Sequence, residues 1–402
     1  MVDLSVDFVG VKAPNPFWLA SGPPTDRKSH VERAFRAGWG GAVWQTLGDA
    51  APSAGDLPAA RYRALHGVDR RVLALDGVGL ASGRDLAIDL GEIAEVKRAW
   101  PDRALIVSLA APRDEDSARR IVAQIEATGC DGVELNFSCA PEARPGTSEA
   151  ATRVETTTRW CRALSRMPVM VKLAPNLADL VRRARAAKRG GADALTLIGA
   201  VDGIAGVDLD AMAPAGALGA MGGPAVKPIA LAALAAIAGD PETAGLPIAA
   251  AGGVTTWRDA AEFIALGAGV AQVCTAAMTY GFRIVDELAS GLSNFMAAKG
   301  YRRVDDFRGL AAANVADWRR LDRDRILKAE IDQALCIKCG RCHIACEDAA
   351  HQAIFATVDG ERRFVVNEAA CVGCNLCALV CPIENCVKLI DRSADAARAA
   401  AE

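Results

Sequence analysis

Eight cysteines near the C-terminal end of the chain fall into two runs with the same spacing, CxxCxxCxxxC. One run extends from Cys336 to Cys346, and the other extends from Cys371 to Cys381, which Pro382 follows. Such tight spacing lets a loop wrap one face of a [4Fe–4S] cube, while the fourth cysteine of each run crosses to the other cluster. We therefore predict two clusters, with the ligand sets Cys336, Cys339, Cys342 and Cys381, and Cys346, Cys371, Cys374 and Cys377.

A pair of structural zinc sites is the alternative for so many thiols. Zinc takes four ligands, usually as two CxxC pairs, and would leave this repeated four-cysteine pattern unexplained. Disulfides are not expected, because the acidic start of the chain does not resemble a signal peptide and the chain is long enough to bury a large core. The other five cysteines are scattered, at Cys130, Cys139, Cys161, Cys274 and Cys386. Cys386 is expected to pack rather than to bind metal.

Charge and hydropathy exclude two classes of partner. The net charge of −3 argues against a nucleic-acid surface, which needs a basic face. No run of about 18 apolar residues appears, so no membrane span is expected. Together with metal-binding thiols in a reducing compartment, these features predict a cytoplasmic protein.

Residues 15–290 repeat one rhythm, in which a short apolar run is followed by a longer stretch with helical period. Buried parallel strands appear as continuous apolar runs because both of their faces are covered. Eight such strands favour a (β/α)₈ TIM barrel, and a doubly wound open sheet is the alternative. The runs are Phe17–Ala20, Ala42–Thr46, Ala104–Leu109, Val133–Asn136, Val169–Leu173, Ala194–Ile198, Pro247–Ala250 and Val270–Cys274.

Four segments are predicted along the chain. The barrel occupies residues 1–300, and a charged helical connector occupies 301–330. A small α+β domain of the bacterial ferredoxin type follows at 331–390, and the tail at 391–402 is expected to be a short exposed helix or disordered.

Active sites of such barrels lie at the C-terminal ends of the strands. Asn136 closes the fourth run, Lys172 lies near the end of the fifth, and Thr275 follows the eighth. Glycine pairs at Gly222–Gly223 and Gly252–Gly253 suggest a backbone cradle for a phosphate, although each pair alone could be a tight turn. Converting the one-electron chemistry of clusters to two-electron chemistry requires a flavin, so we predict that the barrel holds FMN. No convincing dinucleotide fingerprint appears, which places the nicotinamide site on another chain.

Cys139 is the candidate catalytic residue. An unperturbed thiol has a pKa of about 8.5, so it stays protonated at neutral pH and can donate a proton. From its place just after a strand end, Cys139 could protonate one carbon of a C=C bond while flavin delivers hydride to the other. A buried, purely apolar cysteine is the alternative. Lys172 could place positive charge beside the reduced flavin.

These residues resemble the dihydroorotate dehydrogenase family, and within it the dihydropyrimidine dehydrogenases. The segments NPFWLASGPPT, VELNFSC, VKLAPN, AAGGV and QVCTAAM occur in the family's order, and both cysteine runs match closely. The resemblance covers essentially the whole chain. It implies an FMN-binding barrel, Cys139 as general acid, and a hetero-oligomer with a partner subunit that carries FAD and NAD(P)H.

The resemblance also implies site residues. Asn136 and Ser138 would contact the substrate. The residues that would line the flavin are Ala20, Ser21, Gly22, Gln45, Asn136, Lys172, Gly222, Gly223, Gly252, Gly253, Cys274 and Thr275.

The chain departs from the family pattern at several positions. Gln45 stands where a lysine is usual, and Gly77 and Gly79 stand where an N-x-E-L motif grips the pyrimidine edge. A later Asn-Thr pair appears as Gly199–Ala200, and the loop after Cys139 reads APEARPG. Buried amide contacts to a ring are strongly selective. We therefore expect a different, less polar unsaturated substrate.

Two functions are compatible with these features. The first is a flavin-dependent C=C reductase, or the reverse dehydrogenase, that works with an NAD(P)H-oxidising partner. The second is an electron-transfer subunit whose barrel is structural or only binds flavin. Retention of Asn136, Ser138, Cys139 and Lys172 favours the first.

Overall fold

The computed structural model describes residues 2–48, 62–77, 82–139, 148–175, 177–214, 219–316, 322, 325–348, 350–359 and 361–393. The chain divides into two compact units, Met1–Val315 and Ala316–Glu402. Most of the tail predicted at 391–402 lies outside the described residues. None of the described helices is both long and apolar enough to span a bilayer.

The first unit is built on eight parallel strands that are buried almost throughout. They are β1 (Phe17–Leu19), β2 (Gly41–Leu47), β3 (Ala104–Ala110), β4 (Gly132–Asn136), β5 (Val169–Leu173), β6 (Ala194–Leu197), β7 (Ile248–Ala251) and β8 (Ala268–Val273). They close into a barrel in the order β6-β7-β8-β1-β2-β3-β4-β5. The predicted barrel is confirmed, and closure excludes the open sheet.

A helix follows each barrel strand in the chain. The helices are α1 (Lys28–Ala37), α2 (Leu86–Ala99), α3 (Glu115–Ala127), α4 (Ser148–Leu164), α5 (Leu177–Arg189), α6 (Lys227–Ala238), α7 (Trp257–Ala265) and α8 (Thr275–Tyr280), with α9 (Ile284–Lys299) after them. Side-chain caps fix several starts: Asp114 accepts from the Ser117 N–H at the start of α3, and Thr256 forms a capping box with Asp259 in α7.

Apolar side chains close the end of the barrel at which the strands begin. An antiparallel pair, Val6–Phe8 and Val11–Ala13, lies there. Phe8 meets Trp18 of β1 edge-to-face, with 5.9 Å between ring centroids. Val43, Ile106, Met170 and Val270 belong to the same buried cluster inside the barrel. In the described residues this apolar layer closes that end of the barrel, which leaves the opposite end for a ligand.

A four-stranded antiparallel sheet lies at the C-terminal end of the barrel. Its strands in spatial order are Val201–Gly203, Gly219–Gly222, Val72–Gly77 and Tyr62–His66. They come from the loops after β2 and β6, so they stand where barrel active sites form. A two-stranded pair, Val207–Asp208 with Ala213–Pro214, lies in the second of these loops. This mouth sheet was not predicted from the sequence.

Part of the predicted connector packs on the barrel. Two short 3₁₀ helices, Val304–Asp306 and Ala312–Asn314, follow α9. Val304 and Phe307 are buried in the main core of the first unit. Residues 304–315 therefore belong with the barrel in this structure.

The second unit contains two antiparallel pairs and two short helices. Leu327–Ile331 pairs with Val387–Asp391, and Ile354–Asp359 pairs with Glu361–Val366. The helices are α10 (Arg341–Glu347) and α11 (Leu376–Leu379), and each begins inside one cysteine run. This agrees with the predicted small α+β cluster domain.

Candidate active site and cluster cradles

A cavity opens at the C-terminal end of the barrel, between the strand ends and the mouth sheet. Its walls include Leu75 and Met221 from the mouth sheet and Ile198 just beyond β6. Most of the residues predicted to bind cofactor or substrate line it together. They are Ala20, Ser21, Gly22, Asn136, Ser138, Lys172, Gly222, Gly223, Gly252, Gly253, Cys274 and Thr275.

Two predicted residues stand apart from that set. Gln45 is buried in β2 and is not among the described residues that line the cavity. The pairing of β2 with β3 is irregular between Trp44 and Leu47, so Gln45 lies at a break in the ladder. Cys139 ends the 3₁₀ helix Phe137–Cys139 directly after β4. Its side chain lies outside the described part of the molecule, so its role as an acid stays a prediction.

Hydrogen bonds hold the side-chain amide of Asn136 in place. Its Nδ2 donates to Thr46 Oγ1 at 3.0 Å, and its Oδ1 accepts from the Ser138 N–H at 3.0 Å. Thr46 Oγ1 also shares a hydrogen bond with Ser108 Oγ at 2.9 Å. These contacts fix the plane of the amide, and each amide atom keeps capacity for one more hydrogen bond toward a ligand.

Lys172 lies on β5 at the base of the cavity and is only 6% exposed. Its Nζ contacts Ser21 Oγ at 3.2 Å and Glu134 Oε1 at 3.3 Å. Lys172 was predicted as a site residue from the sequence, whereas Glu134 was not. The signal was present, because a carboxylate in the apolar run VELN must find a partner when it is buried.

The glycines at the mouth have backbone conformations that favour close approach by a ligand. Gly223, Gly252 and Gly253 all have positive φ, at 112°, 115° and 82°. A Cβ at Gly253 would lie 2.6 Å from Lys227 Cβ and 2.8 Å from Lys227 N. Glycine is therefore required there by both space and conformation. The loop after β7 presents bare backbone to the cavity, as a phosphate cradle does.

The cavity also contains buried polar atoms without a partner. Ser138 Oγ and Gln272 Oε1 have no hydrogen bond within the described structure, although both residues line the cavity. Buried polar groups are normally satisfied, so such atoms point to a missing partner. With the glycine cradle, the Lys172 ammonium and apolar walls, these atoms fit a flavin mononucleotide.

Gly199 lies directly against the side chain of Ser138 in the cavity wall. A Cβ added at Gly199 would collide with Ser138 Oγ. The space that a longer residue at 199 would need is therefore taken by the serine. Gly77 and Ala200 line the same cavity without any polar side chain, whereas Gly79 lies outside the described residues.

Cys274 is a second thiol that lines the cavity. Burial raises the pKa of Cys274 to about 11, and the nearby Lys172 charge only partly opposes this. The side chain is therefore a neutral thiol at neutral pH. Cys274 is better suited to packing against a cofactor than to nucleophilic chemistry.

The eight cluster cysteines gather into two cradles. The first cradle contains Cys336, Cys339, Cys342 and Cys381, and the second contains Cys346, Cys371, Cys374 and Cys377. This is the crossover grouping that the spacing predicts. The described residues contain no group of three or more His, Cys, Asp or Glu arranged around a single ion, and thiolates around a cube stand farther apart than those around one zinc ion.

Local backbone geometry in the two runs is matched. Lys338 and Gly373 occupy the same place in the two runs and have φ of 61° and 69°, while Gly340 and Asn375 precede the two helices at 81° and 67°. Backbone N–H groups donate to cysteine sulfurs, including Ala353 to Cys346 Sγ at 3.2 Å. Such hydrogen bonds stabilise thiolates that bind clusters. Cys386 is buried in the first cradle beside these ligands, as expected for a cysteine that packs rather than binds metal.

Comparisons with known proteins agree with both units. A family model described as dihydroorotate dehydrogenase matches residues 3–296, and one described as 4Fe-4S dicluster domain matches residues 329–389. The chain is 35% identical over 397 residues to the NAD-dependent dihydropyrimidine dehydrogenase subunit PreA of Escherichia coli (strain K12), covering 96% of this chain and 95% of that protein.

Two further relatives match less of the chain. The chloroplastic dihydropyrimidine dehydrogenase (NADP(+)) of Arabidopsis thaliana is 32% identical over 327 residues, which is 76% of this chain and 76% of that protein. The catalytic subunit of dihydroorotate dehydrogenase B (NAD(+)) of Pyrococcus abyssi is 32% identical over 312 residues, which is 77% of this chain and 99% of that protein.

Proposed function

The chain belongs to the dihydroorotate dehydrogenase family and carries a 4Fe-4S domain, and from that premise we propose that it reduces, or in reverse oxidises, a C=C bond of a small ring substrate. Its relatives are oxidoreductases that act on CH–CH groups, and so is this chain. The proposed cofactors are FMN in the barrel and one [4Fe–4S] cluster in each cradle. The observation that carries the proposal is the cavity that joins Asn136, Lys172 and the glycine loops.

The residues of the cavity have separate tasks in this proposal. Gly252 and Gly253 would hold the phosphate of FMN through bare backbone, and Lys172 would place its charge beside the ring. FMN, when bound, supplies the hydride for one carbon of the double bond, or accepts it in the reverse direction. The Cys139 thiol would give its proton to the other carbon, so that the product gains one hydride and one proton. Asn136 would orient the substrate through its fixed amide.

A partner subunit would complete the reaction. Reducing one double bond takes two electrons, and NAD(P)H held with FAD on that partner would provide them. The names of two relatives describe them as subunits of NAD-linked dehydrogenases. Cys339 and Cys374, the second cysteine of each run, are exposed, as an electron-transfer site requires.

The proposed substrate is less polar than a pyrimidine. Gly77, Gly199 and Ala200 line the cavity without a side-chain amide, so no side chain at these three positions can pair with the edge of a uracil ring. Fewer polar groups of a pyrimidine would then find a partner than in a site with amides at these positions, and each buried polar group left unpaired weakens binding.

Anaerobic reoxidation tests the substrate class without the partner. The full chain, loaded with FMN and iron–sulfur clusters, is reduced with dithionite and then mixed with uracil, thymine or cyclohexenone in a stopped-flow instrument. We expect cyclohexenone to reoxidise the flavin, measured by the return of its absorbance, at least about a hundredfold faster than either pyrimidine. Faster reoxidation by uracil would contradict the proposed specificity. Failure of all three compounds to restore the absorbance would contradict the proposed reaction and favour the alternative, an electron-transfer subunit.

Replacing the acid tests the catalytic assignment. Cys139→Ala should lower the rate of substrate-driven reoxidation by about a hundredfold to ten-thousandfold, because general acid catalysis contributes that much. Flavin and iron content should stay as in the wild type. Cys161→Ala is the matched control, because burial raises the pKa of that thiol to about 12 and it lies in the hydrophobic core. Full turnover by Cys139→Ala would remove the assignment.

A further inference from the structure

A fully buried carboxylate lies one layer beneath the cavity. Glu134 of β4 is 0% exposed. Its Oε2 accepts from Thr196 Oγ1 at 2.8 Å and from Gln272 Nε2 at 3.1 Å, and its Oε1 contacts Lys172 Nζ at 3.3 Å. The carboxylate therefore joins strands β4, β5, β6 and β8 across the interior of the barrel.

Stability does not explain such a group. Buried ion pairs can often be replaced by apolar residues of similar volume at no cost or with a gain in stability. The layer directly below, around Met170 and Val270, is filled by apolar side chains. A charged pair in this place points to a use for its charge or its geometry.

Two of the partners of Glu134 line the cavity, although Glu134 itself does not. The Lys172 ammonium is held between the carboxylate and Ser21 Oγ. An ionised carboxylate only accepts hydrogen bonds, so the Gln272 amide must turn its NH₂ group toward it. That orientation leaves Gln272 Oε1 as the buried acceptor without a partner.

We propose that Glu134 is a positioning residue that fixes the Lys172 ammonium and the Gln272 carbonyl at the floor of the cavity. A bound flavin would then meet one positive charge and one acceptor in set places. This inference rests on the proposed function, namely that the cavity holds flavin. Glu134 acts through its neighbours and touches no ligand itself.

The midpoint potential of the bound flavin tests the proposal, because a purely structural brace would not move it. The full chain is compared as wild type, Glu134→Gln, Lys172→Met and the double variant. Lys172→Met removes the positive charge that favours the reduced flavin, so the midpoint potential of the flavin falls. Glu134→Gln should also lower the potential, because the Lys172 ammonium loses the carboxylate that holds it in place and can turn away toward solvent. We expect at least a tenfold change in the ratio of affinities for reduced and oxidised flavin, or about 30 mV.

The double variant identifies the route of the effect. If Glu134 acts mainly through Lys172, the double variant should have nearly the potential of Lys172→Met alone, since contacting residues are not additive. Thr243→Val is the control, because Thr243 is buried in the loop between α6 and β7, where its Oγ1 donates to the Ile237 carbonyl at 2.8 Å, and it is not among the described residues that line the cavity. It should leave the potential unchanged. Should Glu134→Gln fail to fold, Glu134→Asp keeps the charge and should give a smaller fall of the same sign.

Three results would overturn the inference. A wild-type chain that binds no flavin would remove the proposed function and this inference together. Flavin bound with a potential that falls in Lys172→Met but not in Glu134→Gln or Glu134→Asp would remove only the inference. Fully additive shifts in the double variant would also overturn it.

Discussion

The barrel and the cluster-binding unit reach a buried core by different chemical means. Inside and around the barrel, large apolar side chains such as Trp18, Trp39 and Phe263 are fully buried. Among the described residues, the core of the second unit has ten buried residues, and four of them are cysteines. Three of these four belong to the predicted cluster ligands. The first unit can fold on apolar burial, whereas the second, with its small and cysteine-rich core, is expected to need bound iron–sulfur for stability.

The two units also differ in how they treat polar groups. The barrel buries a carboxylate, an ammonium and an amide in one layer and satisfies most of them internally. The second unit leaves one cysteine of each run exposed. Chemistry on a substrate requires exclusion of water, and electron transfer requires an accessible cluster edge. The comparison therefore matches the proposed division of labour.

The largest expected effect is the loss of the second unit when iron is removed. Chelation under reducing conditions should unfold the second unit while the barrel stays folded, because only the former depends on metal for its core. Hydrogen exchange by mass spectrometry on the full chain would show loss of protection at Leu327–Ile331 and Val387–Asp391. Protection at β4 and β5 should persist.

A variant of one predicted cluster ligand and a variant of a neighbouring cysteine test the role of iron further. Cys336→Ser should lower the iron content from about eight to about four atoms per chain, whereas Cys386→Ser should keep about eight. Both cysteines lie in the first cradle, so the pair separates ligation from packing. Protection in the second unit that survives complete iron removal would break the comparison.

A smaller effect is expected from Gly253→Ala in the barrel. The new Cβ would collide with the start of α6 at Lys227, in addition to the strain of a positive φ. We expect a loss of about 2 kcal/mol in the free energy of unfolding of the barrel and at least about tenfold weaker FMN binding. Isothermal titration with FMN and denaturant unfolding would measure the two quantities.

The control for this variant is Gly245→Ala. Gly245 has a nearly identical φ of 80°, but nothing lies within 4 Å of its added Cβ. It should lose only about 1 kcal/mol and should bind FMN normally. Iron content should be unchanged in both variants, since both substitutions lie in the first unit and the cysteine runs lie in the second. Equal FMN affinity in the two variants would mean that the loop after β7 does not hold the phosphate.

The smallest effect concerns the acid stability of the barrel. Although burial opposes it, hydrogen bonds from Lys227 and from the Thr255 and Thr256 N–H groups hold the pKa of Asp259 below its ordinary value. A carboxyl whose pKa is lowered by folding stabilises the fold above its unfolded pKa, and loses that effect as pH falls through the folded pKa. Wild-type stability should therefore fall below about pH 4, by about 1 kcal/mol from this group.

Asp259→Asn should remove that dependence and cost about 1 kcal/mol at neutral pH, because it weakens the capping box of α7. Denaturant unfolding between pH 3 and 7, followed by tryptophan fluorescence, would measure both. Glu115→Gln is the control, because Glu115 forms an exposed pair with Arg119 and should matter by less than about 0.5 kcal/mol. An unchanged acid profile in Asp259→Asn would contradict the assignment.

Much of the fold and part of the site follow from local sequence patterns. All eight apolar runs form the barrel strands, within a residue or two at each end, because a strand buried on both faces has an unbroken apolar signature. The mouth sheet was missed because its strands, such as Val72–Gly77, are partly exposed and lack that signature. Gln45 was placed with the flavin residues from the motif order, and the register irregularity at which it lies leaves no mark in the sequence.

The sequence by itself determined the elements and the metal-binding spacing. Both are local, because a strand is specified by a few neighbouring residues and a cluster loop by cysteines two or three positions apart. Only the tertiary structure decided which polar residues meet inside the barrel. Glu134 reaches Thr196 and Gln272, which are 62 and 138 positions away along the chain. Closure of the barrel brings these side chains together, and no periodicity or spacing in the sequence encodes that meeting.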